Sequence, residues 1–111
     1  MLQQLPLEST VERYLVSRVK ALGGKVLKFT SPGNAGVADR LILLPNGVHA
    51  FVETKRLGEP LNPLQEKFAR DCKVLGHACH RASCITAVDT LMQELELELE
   101  LSKLLSESDD A

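Results

Sequence analysis

The chain has no tryptophan, one tyrosine and three phenylalanines in 111 residues, so aromatics make up only 4% of it. That is too few for a row of platforms on which unpaired bases stack. No apolar run approaches the ~20 residues that a membrane-spanning helix needs. The three cysteines are an odd number, which fits a reducing cytoplasm better than a secreted disulfide framework. Met1 to Thr10 holds no basic stretch followed by an apolar run, so no signal peptide is expected there. What is present is ordinary: 44% hydrophobic and 25% charged residues, in a length that suits one folded domain.

The formal charge of −2 conceals a split. Residues 1–92 hold 12 bases and 8 acids, a net +4, whereas residues 93–111 hold seven acids and Lys103, a net −6. The division expected is therefore a basic body at 1–92 and an acidic, Leu/Glu-rich C-terminal helix and tail at 93–111. A modest positive charge permits polyanion binding without proving it. The tail is either a solvated, fraying end or a segment that masks the body or joins a partner.

Val11, Leu15, Val19 and Leu22 recur at helical spacing, which predicts a helix from Glu8 to Leu22 between Pro6 and Gly23-Gly24. Short strands are expected at Lys25 to Phe29, Gly36 to Leu44, His49 to Lys55 and His77 to Ser83. Ser31-Pro32-Gly33-Asn34 reads as a loop, and Pro45-Asn46-Gly47 as a hairpin turn. Asn62 and Pro63 suit the start of a second helix, with Leu64, Phe68, Cys72 and Leu75 as its stripe. The Glu-Leu repeat at 94–101 has the period of a strand. Both residue types are strong helix formers and no turn interrupts them, so a third helix is expected from about Ile85 to Leu105. The order α-β-β-β-α-β-α predicts an α/β domain: a meander, a helical crossover to strand four, and a mixed sheet covered on both faces.

Asp39 stands in an otherwise apolar stretch, where an unpaired carboxylate is costly. Glu53 and Lys55, two apart, face the same side of their strand. A turn centred on Asn46 sets residue 39 opposite residue 53, about 4.5–5.5 Å apart at Cβ. Carboxylates that close repel unless a cation lies between them. Mg²⁺ or Mn²⁺ suits such oxygen ligands and lowers the pKa of bound water, and Lys55 is placed to contact a phosphate or orient a water. These parts suit phosphodiester hydrolysis. The bland alternative is an ion pair of Lys55 or Arg40 with Asp39 and Glu53. Glu12 flanks the first helix's apolar stripe and is a further metal-ligand candidate, and Gln65 lies in the first turn of the second helix. The main-chain carbonyl of Thr54 is another possible ligand. Cys72, His77, Cys79, His80 and Cys84 match no zinc-finger or ribbon spacing.

Together ESTVERYLV (8–16), KFTSPGNAGVADRLIL (28–43), FVETKR (51–56) and PLQEKFARD (63–71) resemble a VRR-NUC domain of the PD-(D/E)XK nuclease superfamily, over roughly residues 8–85. The compact form is similar to stand-alone phage and bacterial members. The resemblance implies a restriction-endonuclease-like α-β-β-β-α-β core and a metal-dependent endonuclease, acting on branched, junction-like DNA as a homodimer in a bacterial or phage-infected cell. Carried over residue by residue, it makes Glu12 the helix-1 acid, Asp39 the metal-binding acid, Glu53 and Lys55 the E-x-K pair, and Gln65 the motif glutamine. Ala38 stands where the family usually has proline, which binds no metal. Ser31, Gly33, Arg40, Arg56, Lys67 and Arg70 are candidate DNA contacts, and Gly36, like Gly33, is a candidate point of close approach for a DNA backbone. The rival readings are a non-catalytic DNA-binding module and a dimeric interaction module using the Leu-rich tail.

Overall fold

Helix α1, Glu8–Ala21, forms because Val11, Leu15 and Val19 share one face, and all three are buried. The structure, a computed structural model, describes residues 8–109. Pro6 and the stretch up to Leu7, with Asp110 and Ala111, lie outside the described residues. Gly23, at φ +85°, ends α1 in the left-handed conformation. There the Gly24 N–H donates to the Val19 carbonyl at 3.0 Å and the Gly23 N–H to the Lys20 carbonyl at 2.9 Å, satisfying carbonyls that the helix leaves open.

Strands β1 (Lys25–Lys28), β2 (Arg40–Leu43) and β3 (His49–Thr54) make an antiparallel meander. The turn at Pro45–Gly47 joins β2 to β3, with Asn46 at φ +60° and Gly47 at φ +77°. Helix α2, Pro63–Leu75, then crosses over to β4, Cys79–Ala82, which pairs in parallel with β3. The strands lie in the order β1-β2-β3-β4. The expected α-β-β-β-α-β-α order is the observed one, but the strands are shorter. β2 begins at Arg40 and not at Gly36, because Gly36 takes φ +91° and interrupts the extended chain. β4 begins at Cys79 and not at His77, whose N–H is drawn back to the Cys72 carbonyl at 2.8 Å.

Helix α3, Ile85–Asp109, packs with α1 on one face of the sheet. The core between them is built from Leu15, Ile42, Val52, Val88, Met92 and Leu95, all fully buried. On the other face, Phe68 of α2 meets Phe51 edge to face at 5.3 Å between ring centres, and Phe51 meets Phe29 at 5.7 Å. Arg18 ties α1 to α3 through Asp89 and Glu96, and the Tyr14 hydroxyl donates to the same Asp89.

The Glu-Leu tract is helical throughout, and α3 is continuous through residues 92 and 93. At about 100° per residue, leucines two apart lie roughly 200° apart around a helix. Leu95 and Leu99 therefore enter the core, while Leu97, Leu101, Leu104 and Leu105 are 53–68% exposed. A truncation meant to remove only the acidic tail must accordingly begin beyond Leu99.

Candidate active site

The β2–β3 ladder ends at the pair Arg40↔Val52, so the next residues outward are Asp39 and Glu53. Asp39 is fixed from several sides. Its carbonyl accepts from the Phe29 N–H at 2.8 Å, and its own N–H donates to Glu53 Oε2 at 3.1 Å. Its Oδ1 accepts from the Thr54 N–H at 3.0 Å and its Oδ2 from the Thr54 hydroxyl at 2.7 Å. Arg40 Nη1 lies 3.2 Å from the same Oδ2.

Glu53 is only 9% exposed. Burial pushes its carboxyl pKa up, and the neighbouring Asp39 charge pushes in the same direction. The Asp39 N–H and the charges of Lys55 and Arg40 oppose that rise. Its second oxygen, Oε1, accepts from Gln65 Nε2 at 2.6 Å. Lys55 continues β3 by donating its N–H to the Ala82 carbonyl at 3.1 Å, and its Nζ stands 3.9 Å from Glu59. The fold thus brings Asp39, Glu53, Lys55 and Gln65 to one end of the sheet. A cavity of about 190 Å³ adjoins them, walled in part by Glu53, Gln65, Ala38, Phe68 and Cys79.

Glu12 comes to this site by another route. Its Oε1 accepts from Arg40 Nε at 2.7 Å, and that hydrogen bond holds its pKa below the usual carboxylate range. Arg40 therefore stands between Glu12 and Asp39. Arg40, expected as a phosphate contact, has a side chain 12% exposed with its guanidinium set against two carboxylates. A cation at this point offsets the repulsion that two neighbouring acids would otherwise feel.

The other candidate DNA contacts are spread more widely. Ser31 and Gly33 lie in the exposed turn before Asp39, where Ser31 Oγ accepts from Asn34 Nδ2 at 3.2 Å. A side chain at Gly33 would meet nothing within 4 Å. Gly36 is different: a Cβ there would fall 2.5 Å from the Leu64 carbonyl group, so its opening is filled by α2 and not free for a DNA backbone. Arg56 follows Lys55 and is exposed. Lys67 pairs with Asp71 at 2.8 Å. Arg70 is exposed, beside a groove between α2 and α3 that also holds Lys73, His77, Glu94 and Glu98.

Sequence reasoning missed two groups. The Thr54 side chain and N–H both anchor Asp39, and no spacing rule announces that. Asn62 caps α2, as its place before Pro63 predicts, and what went unread is its exchange of hydrogen bonds with the Gln65 side chain. The Asn-x-x-Gln spacing was the available signal.

The donor chemistry fits a hard divalent cation. Mg²⁺ is commonly held by one or two carboxylates, with waters and substrate phosphate completing its shell, and Asp39 with Glu53 supplies that pair. Among the described residues no three His, Cys, Asp or Glu side chains converge as a larger cluster. The cysteines are free, and burial beside Cys72 pushes the Cys79 thiol up to about 12, so it stays protonated.

No family model matches the chain. A solved structure described as a VRR_NUC domain superposes with a TM-score of 0.72 at 32% identity, covering 78% of this chain and 94% of that one. The "Putative nuclease p44" of Acyrthosiphon pisum secondary endosymbiont phage 1 is 47% identical over 70 residues, 63% of this chain and 75% of that protein. The mixed sheet, its flanking helices and these two matches define a nuclease class with a restriction-endonuclease-like core. Within that class, the chain belongs to the VRR-NUC family.

Proposed function

We propose that the protein is a Mg²⁺- or Mn²⁺-dependent endonuclease that hydrolyses DNA phosphodiester bonds, with structured or branched DNA as its substrate. The observation that carries this reading is the Asp39–Glu53 pair, buried Glu53 beside half-buried Asp39, set side by side at the sheet end with Lys55 and Gln65. Asp39 and Glu53, with the Thr54 carbonyl, are the residues that would hold the cation. When bound, it polarises the phosphate and lowers the pKa of a coordinated water. Lys55 orients a water or contacts the scissile phosphate. Gln65 keeps one Glu53 oxygen fixed, and Glu12 acts through Arg40. Ser31, Gly33, Arg56, Lys67 and Arg70 border the path of the DNA backbone. The free thiols and the phage relative suit a bacterial or phage-infected cytoplasm. Among the described residues no helix is long and apolar enough to cross a membrane.

The test is incubation of the purified protein with labelled four-way junctions, flaps, nicked duplex and plain duplex, in Mg²⁺, in Mn²⁺ and in EDTA. Cleavage should require the metal and favour branched substrates. Full activity in EDTA would remove the mechanism. Binding should weaken steeply between roughly 50 and 200 mM salt, as expected when phosphates are held by Coulomb attraction and counterion release.

A symmetric double-strand cut takes two active sites, which one self-complementary patch can supply as a twofold dimer. The outward stripe of α3, Leu97, Leu101, Leu104 and Leu105, is the candidate patch. Light scattering should show a homodimer, and Leu101→Glu should return it to monomer. A strict monomer at ~100 μM, which corresponds to roughly 5.5 kcal/mol of association, would exclude a stable homodimer.

A further inference from the structure

Helix α2 starts at the active site, and its first turn is closed by a reciprocal pair of hydrogen bonds. The Gln65 N–H donates to Asn62 Oδ1 at 2.9 Å, and the Asn62 N–H donates to Gln65 Oε1 at 2.9 Å. Such a box ordinarily does one thing: it satisfies open N–H groups at a helix start. Here the Gln65 side chain is longer in its duties. Its other terminal atom, Nε2, donates to Glu53 Oε1 at 2.6 Å.

The orientation of that amide is forced. A backbone N–H can only donate, so the atom it meets must be oxygen. A carboxylate can only accept, so the atom that meets Glu53 must be nitrogen. With the oxygen pinned by Asn62, the NH₂ group has one direction left, toward Glu53. Glutamate at position 65, a common partner in such boxes, would serve the cap equally well. It would set a second carboxylate against Glu53, which is already crowded by Asp39. Glutamine is the residue that serves both the cap and the acid.

We propose that Asn62 is a positioning residue for the active site: its main-chain N–H, through Gln65, fixes the Glu53 carboxylate that the nuclease reading assigns to metal binding. The inference rests on that reading for its catalytic consequence, but its structural content stands apart from it.

Proline and glycine at position 62 separate the two duties. Both lack the side-chain oxygen that caps α2, but only proline lacks the N–H that pins Gln65. The backbone at Asn62, φ −77°, is one that proline adopts. Glycine at an N-cap costs only a few tenths of a kcal/mol. Asn62→Ser keeps both the N–H and a capping oxygen.

The experiment compares Asn62→Pro, Asn62→Gly, Asn62→Ser and Gln65→Ala in the full chain. Thermal melting checks that each folds. Side-chain amide NMR of Gln65, Mn²⁺ titration by calorimetry, and cleavage rate are the readouts. In Asn62→Gly and Asn62→Ser, the Gln65 amide resonances, Mn²⁺ affinity and cleavage should stay within about twofold of the parent, as cap changes this small require. In Asn62→Pro, the amide resonances should collapse toward free glutamine, and Mn²⁺ affinity and cleavage should fall on the order of tenfold, the lower end for loss of a group that orients a metal ligand. Gln65→Ala should show the same loss, and the double variant no more than either, because the two act in one chain of contacts.

Equal behaviour of the proline and glycine variants in NMR and Mn²⁺ binding would overturn the proposal. So would full additivity with Gln65→Ala. If the parent protein fails to cut DNA, the nuclease reading falls, and the NMR comparison still decides whether Asn62 orients Gln65 toward Glu53.

Discussion

Asp39→Asn should abolish DNA cleavage, with a loss of at least about a thousandfold, while the melting temperature stays close to that of the parent. Removal of a single group that acts directly on the reacting centre commonly costs a hundredfold to ten-thousandfold. The stability half of the expectation follows from the contacts of Asp39. Its Oδ1 accepts from the Thr54 N–H, and its Oδ2 from the Thr54 hydroxyl. An asparagine keeps the first bond with its oxygen. It can keep the second with its NH₂, because a hydroxyl turns to accept. The ion pair with Arg40 is lost, but so is the repulsion that Asp39 exerts on buried Glu53. Alanine is the less clean probe, since it withdraws both acceptors from Thr54 and adds a destabilisation of about 1–3 kcal/mol. An Asp39→Asn protein that melts normally and still cuts at more than a tenth of the parent rate would rule out a direct role for this carboxylate.

Gly36→Ala should destabilise the fold by about 3 kcal/mol. Part of that is the left-handed backbone, which costs a side-chain-bearing residue roughly 1–2 kcal/mol. The rest is overlap, because the new Cβ would sit 2.5 Å from the Leu64 carbonyl carbon and oxygen, and overpacking costs about 1–3 kcal/mol. Urea unfolding measures the change. Cleavage should also fall, because the strain pushes apart the segment leading to Asp39 and the helix start that carries Gln65. A variant within ~0.5 kcal/mol of the parent, the range of an ordinary surface change, would show that the loop and α2 are free to separate. Gly33→Ala is the control: its φ is +82° but its surroundings are open, so only the backbone contribution should remain.

The fold was legible where period and punctuation agreed. Val11, Leu15 and Val19 marked α1, which ends at Ala21, one residue short of the expected Leu22, and Asn62-Pro63 through Gly76 marked α2 with the bounds found in the structure. The opposition of Asp39 and Glu53 followed from the position of the turn alone, because an antiparallel register is fixed once its centre is known. The strand ends were not legible. Whether Gly36 extends a strand or breaks it depends on the nearness of Leu64, a residue 28 positions away in sequence. Arg40 was ambiguous for a related reason. A base beside an acid reads the same whether it reaches outward to a phosphate or inward to a carboxylate, and only the arrival of Glu12 from α1 decides it. The Glu-Leu tract carried a strand's period on helix-forming residues, and its helical propensity prevailed once Leu95 and Leu99 found the core.

That tract also has a property that depends on its monotony. Between Glu94 and Leu101 the same dipeptide occurs four times. Gain of one further pair leaves a glutamate at 94 and leucines at 95 and 99, because each copy is replaced by an identical one. Loss of one pair does the same, since the shortened tract still reaches residue 99. Only the residues after the tract are displaced, turned by roughly 200° around the helix and moved about 3 Å along it. The interior of the domain is thus indifferent to the gain or loss of one pair. Variation in tract length would therefore leave the packing of α3 on the sheet untouched and re-aim the outer leucines Leu104 and Leu105, changing what the end of the helix presents to another molecule without disturbing the fold that carries it.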